Sequence, residues 1–96
     1  VINYKVMVIS IPDDDSIITH IHLSRLPQNW RTLAAYSRLQ EIGSKWYTTQ
    51  ISLVLKVPSA IIPFEYNYVL NTEHPDFNRS VKLVRVEDYF WDKRLL

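Results

Sequence analysis

Five prolines, Pro12, Pro27, Pro58, Pro63 and Pro75, decide where this chain can build regular structure. Proline has no N–H to give to a ladder and its φ is fixed, so helices and central strands must fit between these points. The first interval, Asn3 to Ile11, reads "NYKVMVISI", β-branched and apolar on both faces. That pattern predicts a strand covered on both sides. Pro12 and the run Asp13-Asp14-Asp15 then break it as a solvated turn. Ser16 to Leu23 alternates, with Ile17, Thr19, Ile21 and Leu23 on one face and Ile18, His20 and His22 on the other. A second strand is expected there. The residues around Pro27 read as a loop, with Trp30 as a packed anchor.

The interval between Pro27 and Pro58 holds the one clear helix, Ser37 to Gln50. Ser37 and Gln40 fit a capping box, and Leu39, Ile42, Gly43 and Trp46 fall on one face of a 3.6-residue period. Gly43 on that face costs about 1 kcal/mol of helix propensity relative to alanine. The expected compensation is a strand, or less simply a ligand, lying against the bare backbone. "ISLVLKV", Ile51 to Val57, predicts a strand that Pro58 ends. "EYNYVLN" gives a short strand, "TEHPDFNRS" a turn or a single helical turn, and "VKLVRVEDYFW", Val81 to Trp91, a last strand closing the sheet. The expected fold class is α+β, a mixed α/β arrangement with a sheet of four to five strands and one main helix. Ninety-six residues suffice for one domain with one core.

Several function classes are disfavoured at once. Eleven Lys and Arg against ten Asp and Glu leave a net charge of +1, which does not advertise nucleic acid. Only Arg79, Lys82, Arg85, Lys93 and Arg94 concentrate any basic charge. The absence of cysteine excludes disulfides, thiolate metal sites and cysteine nucleophiles, and fits a reducing cytosol. No apolar run approaches the roughly 18 residues of a spanning helix, so no membrane partner is expected. A single glycine cannot build a Gly-rich phosphate cradle.

Three groups of residues could carry chemistry. His20 and His22 form an H-x-H able to share a metal, but a third ligand is wanting beyond His74 and scattered carboxylates. Packed or exposed histidines are the plainer reading. Glu65 and Glu73 could pair for glycosidic chemistry, although sequence spacing says nothing about their separation. Ser59 lies between Pro58 and Pro63 at a strand end, where its hydroxyl can donate and accept. Without a visible base, a turn-capping serine is favoured over a ligand contact on residue chemistry alone.

The order of several words alters that balance. "ISIPDD", "LPQNW", "EIGSKW", "LKVPSAIIP", "NYVLNTEHPDF" and the terminal "FWDKRL" run in sequence along essentially the whole chain. Together they resemble the RES domain, the toxin family of bacterial RES–Xre toxin–antitoxin pairs. The resemblance implies an ADP-ribosyltransferase-like fold and degradation of NAD+ at the nicotinamide–ribose bond, by hydrolysis or phosphorolysis. Some members are reported to ADP-ribosylate a protein. NAD+ is then a substrate, with no tightly bound cofactor. The implied partner is an Xre-type helix-turn-helix antitoxin in the cytoplasm, and a homodimer is left open. The serine of the family name corresponds to Ser59, expected to be catalytic. Its arginine and glutamate belong to an N-terminal segment, and neither Arg25 nor Glu41 matches those motifs. Trp46, Tyr68 and Asn71 are expected NAD+ contacts, with core or turn roles as the alternative. Asn67 and His74 match the pattern as structural residues. The start at Val1 without methionine agrees with a C-terminal part of a single RES domain spanning 1–96, its N-terminal segment absent. Such a chain is expected to be inactive alone; the alternative is a non-catalytic module that binds an antitoxin or another subunit.

Overall fold

A computed structural model describes residues 4–89. The fold is α+β, with strands β1 (Tyr4–Ser10), β2 (Ile18–His20), β3 (Val54–Pro58), β4 (Tyr66–Leu70) and β5 (Lys82–Tyr89). Helix α1 spans Tyr36–Thr49 and a single-turn helix α2 spans Phe77–Ser80. The strands divide into a two-stranded and a three-stranded sheet, and the chain into two compact units.

The first unit is an antiparallel ribbon in which β1 pairs with β5 from Tyr4–Tyr89 to Ser10–Lys82. A register shift between Val8 and Ile9 marks a bulge. Lys5 pairs with Asp88 across the ribbon, and Arg85 with Glu87 along β5. The expectation that this first strand is covered on both sides is not met, since Tyr4, Val6, Met7 and Ile9 are all exposed. An apolar run reports that cover would be favourable, not that an element supplies it. The sequence expectation for Phe90 and Trp91 lies outside the described residues.

The second unit, Asp14–Phe77, holds β2 parallel to β3 and β3 antiparallel to β4. β2 is shorter than its alternation suggested, because 3-10 turns at Asp15–Ile17 and Leu23–Arg25 cut it at both ends. The Asp14 side chain caps the first of these by accepting from Ser16 N at 2.9 Å, which holds its carboxyl below the usual range. α1 crosses between the parallel strands, as a parallel pair requires. Its start differs from the expected capping box. Ser37 lies inside the first turn, Ala35 is the N-cap, and no side chain caps the end. A 3-10 turn, Leu33–Ala35, feeds directly into the helix, so the Tyr36 N–H already bonds Leu33 O. At the other end Gln50 adopts the left-handed conformation, φ 51°, and its N–H returns to Tyr47 O.

The core is small: Ala35, Trp46, Leu53, Val54 and Leu55 are buried, with Ser52 and Asn71 as buried polar residues. Each large apolar side chain among them contributes about 1.5–3 kcal/mol by leaving water. Ser52 joins three elements. Its Oγ accepts from Trp46 Nε1 at 2.9 Å, lies 2.6 Å from Thr19 Oγ1 and donates to Val54 O at 3.0 Å. A hydroxyl has one proton, so Thr19 must be the donor in its contact with Ser52. That satisfies the indole, both hydroxyls and a strand carbonyl at one point.

Candidate functional site

β3 leads to the serine. Pro58 opposite Tyr66 is the last pair of the β3–β4 ladder, and Ser59 N donates to Glu65 O at 2.9 Å just beyond it. The Ser59 hydroxyl oxygen accepts from Ile61 N at 3.2 Å and Ile62 N at 3.1 Å. Both lone pairs are thus taken by the turn, and among the described residues the hydroxyl proton has no acceptor. Phe64, at φ 66°, completes the reversal at a cost on the order of 1–2 kcal/mol for a non-glycine residue. Around the serine the loop is apolar and open: Ile61 is 88% and Phe64 99% exposed.

One face of the three-stranded sheet carries a cationic and aromatic group. His20, Lys56 and Tyr68 lie side by side in the register of β2, β3 and β4, and Tyr66 stands two pairs nearer Ser59. Lys56 Nζ sits over the Tyr66 ring at 4.4 Å and the Tyr68 ring at 5.8 Å, within cation–π range. His20 meets Tyr66 edge-on at 5.3 Å, and the His22 ring lies 3.9 Å from that of His20. Desolvation, then the charges of His22 and Lys56, lower the His20 pKa below its ordinary value. No carboxylate among the described residues pairs with these three groups.

The opposite face meets α1. Here Trp46 is buried and held by Ser52, so Trp46 and Tyr68 are not brought together. A groove of about 390 Å³ runs past Trp46, with Arg25, Lys45 and the Arg38–Glu41 pair (3.1 Å) at its margin. A second cavity, about 190 Å³, is lined by Leu39, Gly43, Leu55, Val57 and Pro58. The strand expected against Gly43 is not there: a Cβ at this position would meet no atom within 4 Å.

Asn71 is 1% exposed. Its Nδ2 donates to Tyr47 O at 3.3 Å, its Oδ1 accepts from Glu73 N at 3.0 Å, and its own N–H donates to Leu53 O at 3.0 Å. It ties the end of α1 to the entry of β3 and to the turn that follows β4. His74 belongs to the same turn, with Nδ1 accepting from Asp76 N at 3.0 Å. Accepting there places the neutral imidazole proton on Nε2. No set of three or more His, Cys, Asp or Glu among the described residues is placed to hold a metal. Two contributors escaped the sequence reading. Ser52 gave no signal, whereas Lys56 stood visibly out of phase with Leu55 and Val57 and opposite the Tyr66-x-Tyr68 alternation.

Comparison with known proteins adds a family. The RES domain model matches residues 1–92. The chain is 33% identical over 94 residues to "Toxin Res" of Photorhabdus laumondii, covering 98% of this chain and 59% of that protein. It is 34% identical over 82 residues to "Toxin Res" of Yersinia enterocolitica, covering 85% and 54%. A Sphingobium protein named "Prs ADP-ribosylating toxin" is 29% identical over 96 residues, covering 99% and 59%. The chain therefore spans somewhat more than half the length of these relatives.

Proposed function

The chain belongs to the RES domain family, and from that membership we propose that it is the C-terminal part of a toxin that consumes NAD+ at the nicotinamide–ribose bond. In this reaction the C1′–N bond breaks, its electron pair leaves with nicotinamide, and water or phosphate adds to the ribose carbon. The observation that carries the reading is the state of Ser59. Its oxygen is fixed by two backbone N–H groups, which leaves one oriented proton to donate to a substrate oxygen. Accepting two hydrogen bonds also strengthens the O–H as a donor. Tyr68, 51% exposed, offers a ring to the substrate. Trp46 and Asn71 are proposed to serve the NAD+ site from beneath, because their polar atoms are already engaged inside the protein. One neutral donor supplies about 0.5–1.5 kcal/mol net, so Ser59 is one member of a larger catalytic set.

The test is nicotinamide release from NAD+, measured for this chain and for the full product of its gene. The full product is expected to release nicotinamide and this chain alone to be silent. Ser59→Ala in the full product should lower release about tenfold or more, since a preorganised donor acts mainly on the transition state. Undiminished release would remove Ser59 from the site.

A second reading is a non-catalytic module that binds an Xre-type antitoxin. The apolar rim of Ile61, Ile62 and Phe64 favours it, because an open patch of this kind suits a protein partner. Silence of both proteins toward NAD+ would select this alternative.

A further inference from the structure

We infer that the sheet face formed by His20, His22, Lys56, Tyr66 and Tyr68 is a subsite for a nucleoside diphosphate moiety, with the diphosphate on Lys56 and the histidines and the base against a tyrosine ring. The anion half stands on geometry alone. Three groups that can carry positive charge converge here: His20 and Lys56 are register partners and the two imidazoles are 3.9 Å apart. Yet none has a carboxylate partner among the described residues. Such convergence is electrostatically unfavourable unless one group stays neutral or an anion enters. Desolvation, then the charges of His22 and Lys56, lower the His20 pKa, a shift in the direction of the first outcome. A bound anion would supply the second. The chain's net charge is only +1, so the concentration is local rather than a general basic surface.

A diphosphate fits the donors better than a carboxylate does. Lys56 presents an ammonium with three protons, and each imidazole adds an N–H, more than two carboxylate oxygens can use. The rings then distinguish a nucleotide from a bare phosphate. Tyr66 and Tyr68 are 44% and 51% exposed and stand on the same side as Lys56, whose ammonium already lies over them. A base stacked on such a ring gains about 1–3 kcal/mol. Location connects this surface to the serine. Ser59 follows Lys56 by three residues, just past the end of β3 at Pro58, at most roughly 10 Å along the chain at 3.3 Å per residue. The nucleoside diphosphate identity, as distinct from the anion site, rests on reading the protein as NAD+-consuming.

The test is titration of this chain with ADP, inorganic pyrophosphate and adenosine, following the ring protons of the three histidines by NMR. ADP is expected to move His20 and His22 saturably, with His74 unmoved as the internal control. Pyrophosphate should act at the same histidines about tenfold more weakly, the loss of roughly 1.4 kcal/mol of stacking. Adenosine, without phosphate, should leave the histidines in place. Lys56→Met keeps the stem over the tyrosines and removes the charge; it should weaken ADP at least about tenfold. Its folding is checked by the Trp46 indole N–H resonance. Should that variant not fold, the wild-type titrations decide alone. No saturable histidine response to ADP or pyrophosphate, or undiminished ADP affinity in folded Lys56→Met, would overturn the site. Equal affinity for pyrophosphate and ADP would overturn the role given to the tyrosines. ADP binding in a gene product that never cleaves NAD+ would sink the proposed reaction and leave this subsite standing; cleavage without a histidine response would do the reverse.

Discussion

Two serines at opposite ends of β3 show what a hydroxyl does when its surroundings differ. Ser59 sits at the half-buried exit of the strand and spends its lone pairs on a turn. Ser52, just before the strand, is buried and joins Trp46, Thr19 and Val54 O. Replacing Ser52 by alanine strands an indole N–H, a threonine hydroxyl proton and a carbonyl away from water. An unsatisfied buried group costs about 1–3 kcal/mol, so Ser52→Ala should lower stability by at least that much in urea unfolding. A loss below roughly 0.5 kcal/mol would mean that water reaches the indole and takes over these bonds. The sequence announced Ser59 through its two flanking prolines, because local backbone restriction is written in neighbouring residues. Nothing local announced Ser52. Its partners lie 33 and 6 residues away, and only the folded chain brings them together.

At the scale of elements, α1 was the most legible part of the chain and still began differently from expectation. Its apolar face was readable because a 3.6-residue period survives any tertiary context. Its start was not, because the 3-10 turn at Leu33–Ala35 supplies backbone partners that the Ser37–Gln40 pattern would otherwise have provided. Gly43 illustrates the same limit. A glycine on a buried helix face suggests a close neighbour, yet the space beyond it is an apolar cavity of about 190 Å³. Its backbone is not in the left-handed region either. Neither sterics nor φ therefore demands glycine there. Gly43→Ala should restore helix propensity and fill part of the void, raising stability by about 0.5–1 kcal/mol in thermal or urea unfolding. A destabilised Gly43→Ala would show that another group occupies the cavity in solution.

On the scale of the whole molecule, the chain spends its burial unevenly. Leu53 and Val54 are fully inaccessible, whereas β5 is exposed along its length and β1 nearly so. The strand patterns of both ribbon segments were legible, since β-branched alternation is a local property. Their pairing with each other, across nearly the whole sequence, was not, because register and sheet membership depend on which strands meet. A two-stranded ribbon is marginal in water without a layer against it. Opening free energies within one protein range from near zero in sparsely packed parts to the global value in the core. The amides of Val6 and Val8 in β1 should accordingly exchange with solvent well before those of Leu53, Val54 and Leu55, by about two orders of magnitude or more for a difference of roughly 3 kcal/mol. Native-state hydrogen exchange on this chain measures the ratio directly. Equal protection would mean that β1 and β5 are covered in solution and unfold with the core as one cooperative body. If the ribbon exchanges first, Ser59 and the Lys56 face remain in the stable unit while the ribbon opens, and a partner that binds the ribbon should slow its exchange without changing that of β3.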